Sequence, residues 1–135
     1  MYLETIYVLT EQGALARTRD IAQEWHVSPP SATEMVQKLA AAGFVHYEPY
    51  KGASLTPSGA EIGRLVIRKH RLLERFLVDV VGLPAAEAEG PACSMEHAIP
   101  PAMERWVCEL LGHPTTGVDG RPIPPGACCG AEPRT

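Results

Sequence analysis

The sequence predicts a mainly α-helical chain, with three short helices and one hairpin in its first half and three further helices behind them. Three observations predict it. Apolar residues recur every three to four positions along most of the 135 residues. Only the stretch around Lys51-Gly52 reads as two short strands about a turn. Gly and Pro stand at the ends of the periodic runs, where helix caps need them. A composition of 45% hydrophobic and 21% charged residues is that of an ordinary globular chain and excludes a wholly disordered one.

Each element has its own signal. Leu3, Ile6, Tyr7 and Thr10 share a helical face before Gly13, which predicts a first helix over 2–12. Thr18 is the expected cap of a second, with Ile21, Ala22 and Trp25 inward. Val27-Ser28-Pro29-Pro30 breaks the direction, and Ala32, Met35, Val36 and Leu39 form the inner face of a third helix closed by Gly43. Residues 44–47 and 53–55 flank Lys51-Gly52 as a hairpin, and Thr56-Pro57 caps a long fourth helix. Its stripe (Ile62, Leu65, Val66, Leu72, Leu73, Phe76, Leu77, Val80) reaches about Val81, and Gly82 stops it. A fifth helix over 84–98 contains Pro91, which predicts a kink or a fresh start. Pro100-Pro101 opens a sixth, with Met103, Trp106, Val107, Leu110 and Leu111 on an apolar stripe broad enough to be a dimer face. From Gly112 onward ten of 24 residues are Gly or Pro, the composition of a loose tail.

Three helices followed by a hairpin, with a tight turn between the second and third, make a winged helix-turn-helix. Such a unit projects the start of its third helix into a groove about 12 Å wide. The residues placed to read double-stranded DNA are Ser28, Pro30, Ser31, Thr33 and Glu34, with Lys38 a turn further on. Arg17, Arg19 and Lys51 flank them as backbone contacts. The net charge of −4 is unevenly divided: residues 1–75 carry nine Lys/Arg against eight Asp/Glu, and residues 76–135 carry three against eight. The front half can therefore meet phosphates while the back half gathers carboxylates.

Those carboxylates sit among other ligand types. Cys93, Glu96 and His97 lie at i, i+3 and i+4, His70 and Glu74 at i and i+4, and Met1 and Glu4 at i and i+3, each set on one helical face. Sulfur, imidazole and carboxylate together suit a mid-series divalent ion rather than the all-oxygen cage of Ca²⁺ or Mg²⁺.

The runs Tyr2-Leu3-Glu4-Thr5-Ile6-Tyr7, Arg68-Lys69-His70-Arg71-Leu72-Leu73-Glu74-Arg75 and Cys93-x-x-Glu96-His97, with Pro114-Thr115-Thr116 and Pro122-Ile123-Pro124, resemble the diphtheria-toxin-repressor family of metal-dependent transcriptional regulators, manganese transport regulators included. The resemblance covers about residues 1–125. It implies a winged helix DNA-binding domain over 1–63, a helical metal-binding and dimerisation domain over 64–125, and a flexible tail over 126–135. It implies a homodimer that, loaded with Fe²⁺ or Mn²⁺, binds a palindromic operator and represses uptake genes. By matching position, Met1, Cys93, Glu96 and His97 fall at the iron-type primary site. Glu4, His70, Glu96 and His97 fall at the manganese-type paired site, and His70, Glu74 and Glu89 at the iron-type ancillary site. Glu89 stands where a histidine is usual. The Src-homology-like third domain of longer members lies beyond the matched stretch.

Without a cation the carboxylates repel one another, two unit charges 4 Å apart by roughly 4 kcal/mol at an effective dielectric near 20. A divalent ion reverses that sign, and ligands on the first, fourth and fifth helices would link metal binding to the orientation of the reading heads. Those heads would then stand about 34 Å apart, one duplex turn. Cys93 leans towards Fe²⁺ and Glu4 towards Mn²⁺, with Fe²⁺ narrowly preferred. The competing reading is a thiol redox sensor using Cys93 with Cys128 or Cys129. A metallohydrolase needs a general base that no motif supplies, so no enzyme activity and no small organic substrate are expected. No apolar run approaches the roughly 18–20 residues of a membrane span. No secretion pattern opens the chain and the four cysteines form no regular framework, so a reducing cytoplasm is expected.

Overall fold

The computed structural model describes residues 2–129, which form two compact units divided between Arg64 and Leu65. The first contains α1 (Tyr2–Thr10), α2 (Thr18–Trp25), α3 (Pro29–Ala41), β1 (Val45–Glu48), β2 (Gly52–Leu55) and the start of α4 (Pro57–Phe76). Its core is Leu3 and Ile6 of α1, Ile21 and Ala22 of α2, Ala32 and Val36 of α3, and Ala16, Val45 and Ala53. These are the periodic positions of three short helices that cannot bury their apolar faces alone.

The predicted third helix and the turn before it are present. Residue His26 turns in the left-handed region (φ 55°) to close α2, and the Ser28 side chain caps α3, accepting from the Ser31 amide at 3.3 Å. Thr18 does not cap α2. It is the first helical residue, and extended Arg17 precedes it with no side-chain cap. At the end of α3 the Phe44 amide bonds to the Leu39 carbonyl at 3.0 Å, with Gly43 left-handed between them (φ 89°).

The two strands pair antiparallel, Val45 opposite Leu55 and Glu48 opposite Gly52, around a loop in which Tyr50 has φ 68°. Ala16 adds a bridge to Ala53 through reciprocal bonds of 2.9 and 2.8 Å, pinning the base of the hairpin to the entrance of α2. Thr56 caps α4 as predicted: its hydroxyl accepts from the Gly59 amide at 3.2 Å and donates to the Gly43 carbonyl at 2.7 Å. Gly59 must lack a side chain, because a Cβ there would collide with the Phe44 carbonyl.

The second unit contains the rest of α4, α5 (Glu89–Glu96) and α6 (Pro101–Leu110). The fourth helix does not continue regularly to Val81. Its α-helical part ends at Phe76, and Leu77–Val81 form a wide π turn closed by Gly82 (φ 94°), whose amide bonds to the Leu77 carbonyl. The widened turn shifts the phase of the apolar stripe. Leu77 stays in the core with Leu73, Ala88 and Ala92, whereas Val80 is 52% exposed; Ile62 and Leu65 are also exposed. Of the two outcomes expected at Pro91, the fresh start is observed. A 3₁₀ turn (Ala85–Glu87) precedes α5, and Pro91 lies in the first helical turn, where its missing N–H costs little.

The segment after α6 is not loose. Thr116 bridges Pro122, the Ile123 amide bonds to the Thr115 carbonyl, and Ile123 is buried with Leu72 and Cys108. Two buried arginines of α4 hold it: Arg71 donates to the Pro122 carbonyl at 2.6 Å, and Arg68 to the Pro124 carbonyl at 3.0 Å. Ala127–Cys129 form a short 3₁₀ turn, so the expected flexible tail is turned as far as Cys129; residues 130–135 lie outside the described residues.

Candidate metal centre and nucleic-acid face

The second unit gathers four of the expected ligands. His70 and Glu74 are one turn apart on α4, and the His70 ring stands between two carboxylates. Its Nδ1 is 3.0 Å from Glu96 Oε2 and its Nε2 is 3.2 Å from Glu74 Oε1. Glu96 ends α5 and its side chain is fully enclosed; the next residue, His97, is the helix cap and is partly exposed. Glu96 Oε1 lies 3.3 Å from His97 Nε2, yet that oxygen is buried without a hydrogen bond. Burial by itself would lower the His70 pKa. The hydrogen bonds to Glu74 and Glu96, and their charges, outweigh it and hold the imidazole up at about 10.

These residues fit a divalent cation. A buried carboxylate oxygen that makes no well-formed hydrogen bond is costly unless something positive reaches it, and imidazole with carboxylate is the donor set of Mn²⁺ and Fe²⁺ sites. Other expected ligands stand elsewhere. Cys93 is exposed on α5, one turn before Glu96, and its thiol belongs to no cluster of three ligand atoms among the described residues. Glu89 is exposed at the start of α5, about 10 Å along the helix axis from Glu96. Glu4 is half-buried in the first turn of α1, and Met1 lies outside the described residues. Cys128 and Cys129 group with Cys108 and His113, not with Cys93, so the Cys93 redox pairing has no structural support.

In the first unit, α3 presents its N-terminal residues to solvent. Ser28, Pro30, Ser31, Glu34 and Lys38 are exposed and Thr33 is half-buried. The hydroxyl of Ser28 donates to that of Ser31 at 2.9 Å, and Glu34 pairs with Lys38 at 3.8 Å, which tempers its repulsion of phosphate. Arg19 is exposed beside Asp20. A cleft of about 780 Å³ between helix and wing brings together Arg17, Thr33 and Lys51. It also recruits Gln37, Tyr47 and Tyr50, which the sequence reading missed. Gln37 could have been found, since it stands one turn after Thr33 on the same face; Tyr50 marks the wing tip, fully exposed.

A winged helix unit is followed in the chain by a helical unit with a His/Glu ligand cluster. The chain belongs to the iron-dependent repressor family. Residues 1–53 match that family's N-terminal DNA-binding domain, and residues 56–125 its metal-binding and dimerisation domain. It is 38% identical over 133 residues to the iron-dependent repressor IdeR of Mycobacterium leprae, covering 98% of this chain and 58% of that one. It is 37% identical over 124 residues to the diphtheria toxin repressor of Corynebacterium efficiens, covering 92% and 54%. A solved manganese-dependent transcriptional repressor in complex with manganese superposes with a TM-score of 0.80 at 33% identity, covering 93% and 57%. The chain thus spans a little over half the length of these curated relatives.

Proposed function

We propose that this chain is a transcriptional repressor that binds a palindromic operator as a homodimer when loaded with Fe²⁺ or Mn²⁺, and that it works in the cytoplasm. The observation that carries this reading is the enclosed Glu96 carboxylate, held between His70 and His97 with one oxygen unsatisfied, in a chain whose other unit is a winged helix. No helix among the described residues is long and apolar enough to cross a membrane.

On this reading His70, Glu74, Glu96 and His97 hold the ion. A bound dication supplies charge neutralisation among carboxylates that otherwise repel. Arg17 and Lys51 contact phosphates, while Ser31, Thr33 and Gln37 face base edges. The outer face of α6 leaves Met103, Trp106 and Leu110 exposed at i, i+3 and i+7, an apolar stripe suited to a second copy of the chain. No residue is proposed as catalytic.

The test is operator binding titrated with Mn²⁺, with Fe²⁺ under anoxia, and with chelator. Tighter binding with either ion, reversed by chelator and lost in His97→Ala, is the expected result. Binding indifferent to metal overturns the reading.

A further inference from the structure

Four side chains outside the His70–Glu96 cluster converge beside Arg68 and Leu72 of α4. Cys108, on the inner face of α6, is fully buried. The chain leaves α6 through Gly112 and doubles back at His113, which takes a left-handed conformation (φ 54°) while its amide bonds to the Cys108 carbonyl at 2.8 Å. That turn lays the imidazole against the thiol, Nδ1 to Sγ 3.3 Å. The returning segment, anchored by Arg68 and Arg71, ends in the 3₁₀ turn that delivers Cys128 and Cys129 to the same point.

Five of the six distances among the four ligand atoms are close to the edges of a coordination tetrahedron. With Zn–S near 2.3 Å and Zn–N near 2.0–2.1 Å, tetrahedral edges are about 3.8 Å between sulfurs and about 3.6 Å between sulfur and nitrogen. Cys129 Sγ is 3.8 Å from both Cys108 Sγ and Cys128 Sγ. His113 Nδ1 is 3.3, 4.0 and 3.7 Å from the three sulfurs. All four atoms lie within 4.8 Å of one another. None of the three sulfurs is in a disulfide, which would require about 2.05 Å. Arg68 Nη2 sits 3.2 Å from Cys128 Sγ and Arg68 also pairs with Glu104 at 2.9 Å, so its positive charge offsets part of the surplus of three thiolates over one dication.

We propose that Cys108, His113, Cys128 and Cys129 form a second metal site, a closed Cys₃His site for Zn²⁺ that staples residues 112–129 to α6. Three thiolates make it soft, whereas the His70–Glu96 cluster offers oxygen and nitrogen, so the two sites sort different ions. Four protein ligands leave no open position, which makes the site structural. Its role follows from composition: a segment so rich in Gly and Pro has little apolar surface to bury, and a metal supplies the folding free energy that its small cluster around Ile123 does not.

The test is metal analysis of the full chain purified under reducing conditions and dialysed against EDTA to strip the exchangeable site. One zinc per chain should remain. Cys128→Ser and Cys129→Ser should lower it on the order of tenfold or more, while Glu96→Gln and Cys93→Ser leave it unchanged. Cobalt substituted for zinc should show a thiolate charge-transfer band and intense tetrahedral d–d bands that Cys129→Ser abolishes. Removing the zinc with a stronger chelator should raise amide exchange in 112–129 and leave α3 protected, whatever Fe²⁺ or Mn²⁺ does to DNA binding. Wild-type chain that takes up no zinc when supplied with it, with four freely reactive thiols or a Cys108–Cys129 disulfide in their place, overturns the proposal.

Discussion

The second unit holds two ligand clusters of opposite construction. The first draws His70 and Glu74 from one helix and Glu96 and His97 from the end of another, so regular secondary structure sets the spacing within each pair. The second draws one thiol from α6, one imidazole from a left-handed turn and two thiols from a 3₁₀ turn, so a loop must fold before the group exists. The first is partly open and mixes oxygen with nitrogen, as a reversible sensor of hard or borderline ions requires; the second is sulfur-rich and closed. Ligand chemistry, rather than raw affinity, is how two sites in one small domain stay apart.

The sharpest way to break the contrast is Glu96→Ala. It should weaken Mn²⁺ or Fe²⁺ binding by at least about 100-fold and abolish metal-stimulated operator binding, as calorimetry and gel shift would read. Loss of zinc in that variant would show that the clusters are not independent.

Acidity should separate them next. His70 carries a proton in the metal-free protein up to about pH 10, and a cation must displace it. Apparent affinity at the His70–Glu96 cluster should therefore rise about tenfold per pH unit from neutrality towards pH 10. The metal-free protein shows the opposite sign. Because the folded pKa lies above the usual 6.5, the His70 contribution to stability is complete below that value and is lost as pH climbs through 10. Affinity flat with pH would contradict the ion pairs seen here.

Arg71→Met probes the scaffold of the thiol cluster alone. Losing the bond to the Pro122 carbonyl should cost about 1–3 kcal/mol and loosen 112–129 in hydrogen exchange, with Mn²⁺ affinity retained. The smallest expected effect serves as control. Lys51→Ala, in the other unit, should lower the salt dependence of DNA binding by about one unit of slope and leave both metal contents untouched.

Much of this was legible in residue order. Periodicity marked α1 to α4 and α6, and Thr56-Pro57 announced a helix start because capping involves only neighbours along the chain. His70–Glu74 and Glu96–His97 were legible for the same reason. The π turn was not, because Leu73–Leu77–Val80 is equally good α-helical spacing, and only packing against Ala88 and Ala92 selects the wider turn. Cys108 read as an ordinary core residue, and the adjacent tail cysteines carried no motif: Cys108 and Cys129 are 21 residues apart in a stretch without periodicity.

What the sequence by itself determined is therefore whatever depends on contacts within a turn or two: helices, caps, the hairpin, and ligand pairs on single helices. What only the tertiary structure decided is which of those pairs face one another across α4 and α5, and that a Gly/Pro-rich segment returns to α6. That return rests on buried Arg68 and Arg71 bonding carbonyls more than fifty residues away, and no local pattern encodes a partner at that distance.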